Sequence, residues 1–339
     1  MIKVDRSKVT IPDCLRTDIE SAARVETDKA KIFFEKKVAR RLAIADGSFV
    51  DEAPDDAAGS DTEEKKKKKK EKSFEFDVYR QAKPVLKELF KDKCGYCEID
   101  YGGAPSDIEH FRPKGEIDYL HEGTKKTYPE GYYWLAADWD NLIYACQHCN
   151  RGETHDHQER EGGTIVSRVS GKANFFPLSD ESKRLKACDP VDGEEDYRLL
   201  LDPCRDEPTK HLRFHPDGFI TAKCIADRPS ARGKESIFYY GLSRVALRDR
   251  RKHTARELLY AIGKLKEELA RVKADPSREN RASLVTTVNH IRTEFLDPSR
   301  PFLAMAWQFF RERVTTGELI SALRAAQPKA APVDAEMCE

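Results

Sequence analysis

Two CxxC pairs, Cys94-Gly-Tyr-Cys97 and Cys146-Gln-His-Cys149, constrain this chain more than any other feature. Two sulfurs on one tight turn can reach a single metal ion, and a second such turn completes the four-thiolate tetrahedral shell that zinc takes. The 48 residues between Cys97 and Cys146 are more than a minimal zinc ribbon needs, so a substantial insertion is expected between the two turns. A redox pair would sit beside a βαβ pattern, and none is present. Four thiolates leave no position for a substrate. The zinc is therefore expected to be structural, and chemistry must come from other side chains.

The cysteine count bears on compartment. Nine cysteines in a chain beginning Met1-Ile-Lys-Val-Asp-Arg, without the apolar core of a signal peptide, point to metal binding in the cytoplasm over disulfides. Cys14, Cys188, Cys204, Cys224 and Cys338 are scattered and read as ordinary thiols in preference to a second cluster. Charged residues make up 35% of the chain, mean hydropathy is −0.71, and no apolar run is long enough to span a membrane. Lys+Arg and Asp+Glu are 60 each, so net charge carries no bulk signal for nucleic acid. A local basic face is still compatible with that balance.

Along the chain, loosely helical spacings occupy residues 1–50, through Ile19, Ala22, Ala23, Val25, Ile32, Phe33, Val38 and Leu42. Residues 51–64 carry seven acids and no base, and Lys65 to Lys70 follow without interruption. Such a segment has nothing to bury, so residues 51–73 read as a disordered charged linker. Val78, Ala82, Val85, Leu86, Leu89 and Phe90 form a helical stripe in which Pro84 must start or kink a helix. Pro216-Asp-Gly218 between alternating apolar residues signals a hairpin within 211–224. Stripes at Ala255, Leu258, Ile262, Leu265, Leu269 and Val272, then Leu284, Val288, Ile291 and Phe295, predict long helices, with further helices over 302–314 and 319–323.

Between the CxxC pairs stands Glu109-His110, followed by Arg112 and Lys114. Asn141 comes 31 residues after His110, and Asn150-Arg151 nine residues later, directly behind Cys149. With these residues in view, the sequence resembles the HNH endonucleases of the ββα-metal type, in the subgroup stapled by two CxxC pairs. In that family an Asp/Glu-His dipeptide ends the first strand of a hairpin. A central Asn lies in the loop leaving the second strand, and a His or Asn on the next helix completes the site.

The resemblance implies His110 as general base, Glu109 as a ligand of a catalytic Mg²⁺ or Mn²⁺, and Asn150 as the second protein ligand. It implies that Asn141 holds the loop orienting His110. Arg112, Lys114 and Arg151 stand where they could bind phosphates. Asp107 is either an orienting or ligating acid or a plain surface one, and His148 and His155 are alternatives to Asn150. Tyr132, Tyr133, Trp134 and Trp139 read as core.

Ile108-Glu-His-Phe-Arg-Pro-Lys114, Tyr133-Trp-Leu-Ala-Ala-Asp-Trp-Asp-Asn-Leu142, Leu199-Leu-Leu-Asp-Pro-Cys204 and the stretch Glu235 to Arg244 further resemble the PtuB-type HNH proteins of bacterial anti-phage systems (Septu and retron-associated). That likeness covers roughly residues 84–255. It implies a partner ATPase of the SMC/ABC type and a nucleic-acid target, with DNA placed ahead of RNA. The rival readings are an RNase, for example tRNA-cleaving, and a non-catalytic zinc module that binds nucleic acid or protein. The fold class expected is α+β: a ββα-metal core stapled by four cysteines within a mostly helical protein. Its divisions would be a helical segment 1–50, the linker 51–73, a nuclease domain 74–200, and a hairpin with helices over 201–339.

Overall fold

Ser21 starts the first helix, α1 (Ala22–Ala45), its hydroxyl accepting from the Arg24 amide in the ordinary N-cap manner. The computed structural model describes residues 1–18, 20–46, 48, 73–101, 105–315 and 317. In it α1 buries Ala23, Ala30 and Phe34. Val25, Ile32, Val38 and Leu42, which suggested the helix, are exposed. The periodicity thus located the helix but not its buried face. The surface it meets is assembled from short turns, Asp13–Leu15, Val78–Ala82 and Tyr133–Leu135. Two alanines allow close approach, and Phe34 stacks on Tyr133 with ring centroids 4.4 Å apart. Glu26 anchors the far side, accepting from the Asp77 and Val78 amides at 2.7 and 3.1 Å.

Apart from Ser73, the linker expected over 51–73 lies outside the described residues, as does the expected helix at 319–323. The chain resumes with a 3-10 turn at Val78–Ala82 and then α2 (Lys83–Leu89). Pro84 sits in the first turn of α2, where its missing amide costs no hydrogen bond. Leu86 and Leu89 go into the core and the chain is delivered to Cys94.

Strand β1 (Ser106–His110) ends on the Glu-His dipeptide. A small hairpin follows, β2 (Ile117–His121) with β3 (Thr124–Tyr128). The chain then returns as β4 (Leu142–Cys146), antiparallel to β1, pairing Ser106 with Cys146 and His110 with Leu142. All five residues of β4 are buried. The four-residue helix α3 (Gln147–Asn150) leaves it directly, and a second hairpin packs behind, β5 (Glu153–His157) with β6 (Val166–Ser170).

A short helix α4 (Pro208–His211) leads into the expected hairpin, β7 (Leu212–Phe214) with β8 (Ile220–Ala222), turning at Gly218 with φ +86°. Helices α5 (Ala231–Tyr239), α6 (Val245–Ala274), α7 (Arg278–Glu294) and α8 (Leu303–Arg313) complete the described chain. Ala255, Leu258, Ile262, Leu265 and Val272 line the buried face of α6, as their spacing predicts. The architecture is α+β, with helices around small antiparallel sheets. One buried cluster runs through Leu86, Phe111, Leu142, Tyr240, Leu258 and Met305, and a smaller one joins Phe34 to Phe76, Tyr133 and Ala136. No helix among the described residues is long and apolar enough to cross a membrane.

Phe34→Ala should destabilise the protein by about 3 kcal/mol, the lower end for truncating a buried aromatic ring. Leu42→Ala, on the exposed face of the same helix, should change stability by less than about 0.5 kcal/mol. Urea unfolding of the two variants would read both values.

Candidate active site and metal centre

The four cysteines meet where β4 runs into α3. Cys97 Sγ and Cys146 Sγ are 3.8 Å apart, and all four sulfurs are buried within 4.8 Å of one another. Zinc–thiolate bonds of ~2.3 Å in a tetrahedron place sulfurs about 3.8 Å apart, so the donor set fits zinc. The Gly95 amide donates to the Tyr144 carbonyl at 2.8 Å, tying the first cysteine turn to β4. A Cβ at Gly95 would strike the Phe90 ring, which explains the glycine. Arg244 donates to Cys149 Sγ at 3.3 Å and to the His148 carbonyl at 2.9 Å, supplying charge and hydrogen bonds from outside the thiolate shell. Cys188 and Cys224 are exposed and Cys204 half-buried, and among the described residues they join no metal-ligating group.

The stapled β1–β4 pair opens on a cavity of about 690 Å³ lined by Asp107, Glu109, His110, Lys114, Asn150 and Arg151, with Tyr79, Arg80 and Lys83 on its rim. His110 is buried at the end of β1, its ring edge-on to Tyr79 at 4.6 Å. Its Nε2 lies 2.9 Å from the Ala136 carbonyl oxygen. A carbonyl oxygen can only accept, so Nε2 carries the proton and the lone pair of the neutral ring is on Nδ1. That atom accepts from Lys114 Nζ at 3.3 Å. Burial, and then the charge of Lys114, hold the imidazole pKa well below its ordinary 6.5.

Asn141 fixes this arrangement. Its Oδ1 accepts from the Arg112 amide at 2.7 Å, while Nδ2 donates to the carbonyls of Arg112 and Leu135, each at 3.0 Å. The segment just after His110 is thereby tied to the one that presents Ala136. Asn141 lies in a 3-10 turn entering β4, whereas the motif expectation put it in a loop leaving the second strand.

The acids of the pocket are already partnered. Glu109 Oε1 accepts from Lys172 Nζ at 2.7 Å, and Lys172 also donates to the His110 carbonyl at 2.9 Å. Both are buried, and burial pushes the Glu109 carboxyl up and the Lys172 ammonium down despite their mutual attraction. Asp107 accepts from Asn150 Nδ2 at 2.9 Å and from both sides of the Arg151 guanidinium at 3.0 and 2.9 Å. Each carboxylate offers two oxygens and about four acceptor positions, so neither bond closes it to a hard cation. With Asn150 these acids form an oxygen-rich donor set of the kind Mg²⁺ or Mn²⁺ takes.

Lys172 carries no periodic or motif signal. It arrives because Gly171, with φ +114°, turns the chain out of β6 where a Cβ would overlap the Arg151 carbonyl. The following amides, Lys172 and Ala173, then donate to the open carbonyls of Cys149 and Asn150 at the end of α3.

The structure corrects two expectations. Arg112 does not line the pocket. It is 2% exposed, with Nε bonded to Glu194 at 2.7 Å and Nη2 to Glu195 at 2.9 Å, so it builds the core and is not free to hold phosphate. His148 and His155 lie on another cavity, beside Cys146 and Arg244, and do not replace Asn150. The other expected residues, Glu109, His110, Lys114, Asn150 and Arg151, do line one pocket. Asn141 stands just behind it.

The chain is 36% identical over 270 residues to Septu protein PtuB of Bacillus mycoides (strain KBAB4), covering 74% of this chain and 81% of that protein. It belongs to the Septu PtuB family. That membership places it among anti-phage defence proteins. It is also 27% identical over 160 residues to Septu protein PtuA of the same strain, across 47% of this chain and 18% of that protein. No family model matches the chain.

Arg112→Ala should cost about 3–5 kcal/mol of folding stability, because it strands the fully buried Glu194 carboxylate. Chemical unfolding would measure this, and Arg112→Ala/Glu194→Gln should recover part of the loss.

Proposed function

We propose that this PtuB-family protein is a metal-dependent HNH endonuclease that hydrolyses phosphodiester bonds in DNA. The observation that carries the reading is the His110 ring. It is neutral at pH 7, its Nε2–H is spent on the Ala136 carbonyl, and its unprotonated Nδ1 is held among cationic side chains in an open pocket. On this reading β1, β4 and α3 are the ββα core, and the cysteine cluster beside them holds structural zinc.

When Lys114 turns from His110 Nδ1 to a phosphate, that nitrogen takes the proton of the attacking water, and Asn141 keeps the ring aimed by holding the Ala136 segment. Lys114, Arg151, Arg80 and Lys83 bind and orient the phosphates of the strand. Glu109 and Asn150 would hold a hard divalent cation, which would supply charge stabilisation at the scissile phosphate. Lys172 fixes the rotamer of Glu109. The pairing of PtuA and PtuB names among the relatives supports a partner protein, which we take to be an ATPase of the SMC/ABC type. This chain is then the nuclease arm of the defence system.

Plasmid DNA and total RNA, each incubated with the purified chain and Mg²⁺ or Mn²⁺, with and without the partner, test the proposal. DNA cleavage should fall at least about 100-fold in His110→Ala, with circular dichroism and zinc content unchanged. Equal cleavage by the variant rejects the assignment, and cleavage of RNA alone moves the target class.

The pH profile supplies a further check. A base held below its ordinary pKa stays competent into mildly acid solution, so the acid limb of the rate should lie below pH 6.5. Lys114→Met removes a neighbouring positive charge, which raises the imidazole pKa. The acid limb of that variant should move to higher pH, whatever happens to its maximal rate.

A further inference from the structure

Outside the pocket, the structure gathers a second set of metal-ligating atoms that the function above does not use. His148 lies in α3 between the two cysteines of the second pair, and Glu153 and His155 occupy alternate positions on one side of β5. His148 Nδ1 is 2.8 Å from Glu153 Oε2, and His155 Nε2 is 3.5 Å from the same oxygen. One ligand atom from each of the three residues lies within 4.8 Å of the others. Ligands at ~2.0–2.1 Å in a tetrahedral shell stand about 3.4 Å apart, so these separations bracket the spacing a first-row metal needs. His155 Nε2 is shielded from solvent yet makes no hydrogen bond, although a buried ring nitrogen ordinarily finds one. Arg244, which lines the same cavity, is committed to Cys149 Sγ and the His148 carbonyl.

We propose that His148, Glu153 and His155 form a second transition-metal site, with zinc as its ion and an open fourth position for water. Two imidazoles and one carboxylate favour zinc over the hard Mg²⁺ of the neighbouring pocket. The ion clips α3 to β5 across a short loop. Asn150 ends α3 and Arg151 opens that loop, so the clip sets how firmly both are presented to the neighbouring pocket.

The test is metal stoichiometry. The full-length chain and a His148→Ala/His155→Ala variant would be equilibrated in the same zinc buffer, and their zinc per chain measured by mass spectrometry. The expected result is one equivalent more in the wild type than in the variant. This difference does not depend on nuclease activity, and a His155→Ala single variant, which leaves the Cys146–Cys149 turn untouched, should lose the same equivalent. Glu153→Gln, which keeps the shape and removes the charge, should bind the second equivalent more weakly. Hydrogen exchange at residues 151–155 should slow with zinc in the wild type only. The far-ultraviolet spectrum of the double variant controls for folding, and all three side chains are partly exposed, so their loss leaves no buried cavity. Equal zinc content in wild type and variant overturns the proposal and leaves Glu153 as a hydrogen-bond acceptor for His148.

Discussion

Four thiols from two distant parts of the chain must come within one coordination radius, and the centre of the protein follows from that constraint. Cys94 and Cys97 sit in a turn after α2, while Cys146 and Cys149 span the junction of β4 and α3. Bringing them together fixes the end of β4 and hence the β1 register that sets His110 opposite Leu142. A one-residue slip of that pair would turn every side chain of β1 to its other face. Metal binding of this type can contribute on the order of 10 kcal/mol to folding. That is comparable with the whole net stability of a domain.

Much of the centre was legible in the sequence because its signals are local. CxxC spacing, the Glu109-His110 dipeptide and the Asn150-Arg151 step are each read within a few residues, and their elements lie as expected. The long helices were legible too, since α6 and α7 keep a three- and four-residue period against one continuous core. The hairpin at Gly218 announced itself by turn chemistry.

What the sequence did not reveal depends on partners far along the chain. Lys172 reaches Glu109 across 63 positions, and Arg112 reaches Glu194 across 82. Neither pairing has a period or a motif. Arg112 looked like a phosphate ligand because it follows His110 closely. Residues past the end of a strand lose the strand's alternation, so proximity in sequence says little about facing. The same limit applies to α1, where the docking surface is assembled from turns far apart in the chain and two alanines outrank the larger apolar residues.

The ion pair of Lys172 with Glu109 has a bearing on how any hard cation is retained. An acid that enters the site with a resident ammonium offers less attraction than a bare carboxylate, and Asp107 is similarly occupied by Arg151. Mg²⁺ is commonly held through few protein carboxylates together with the phosphates of its substrate. On the proposed reading, a cation and a nucleic-acid strand then stabilise one another in this pocket, and a chain without its polymer is poorly loaded. For a defence protein this would couple ion capture to the arrival of the target.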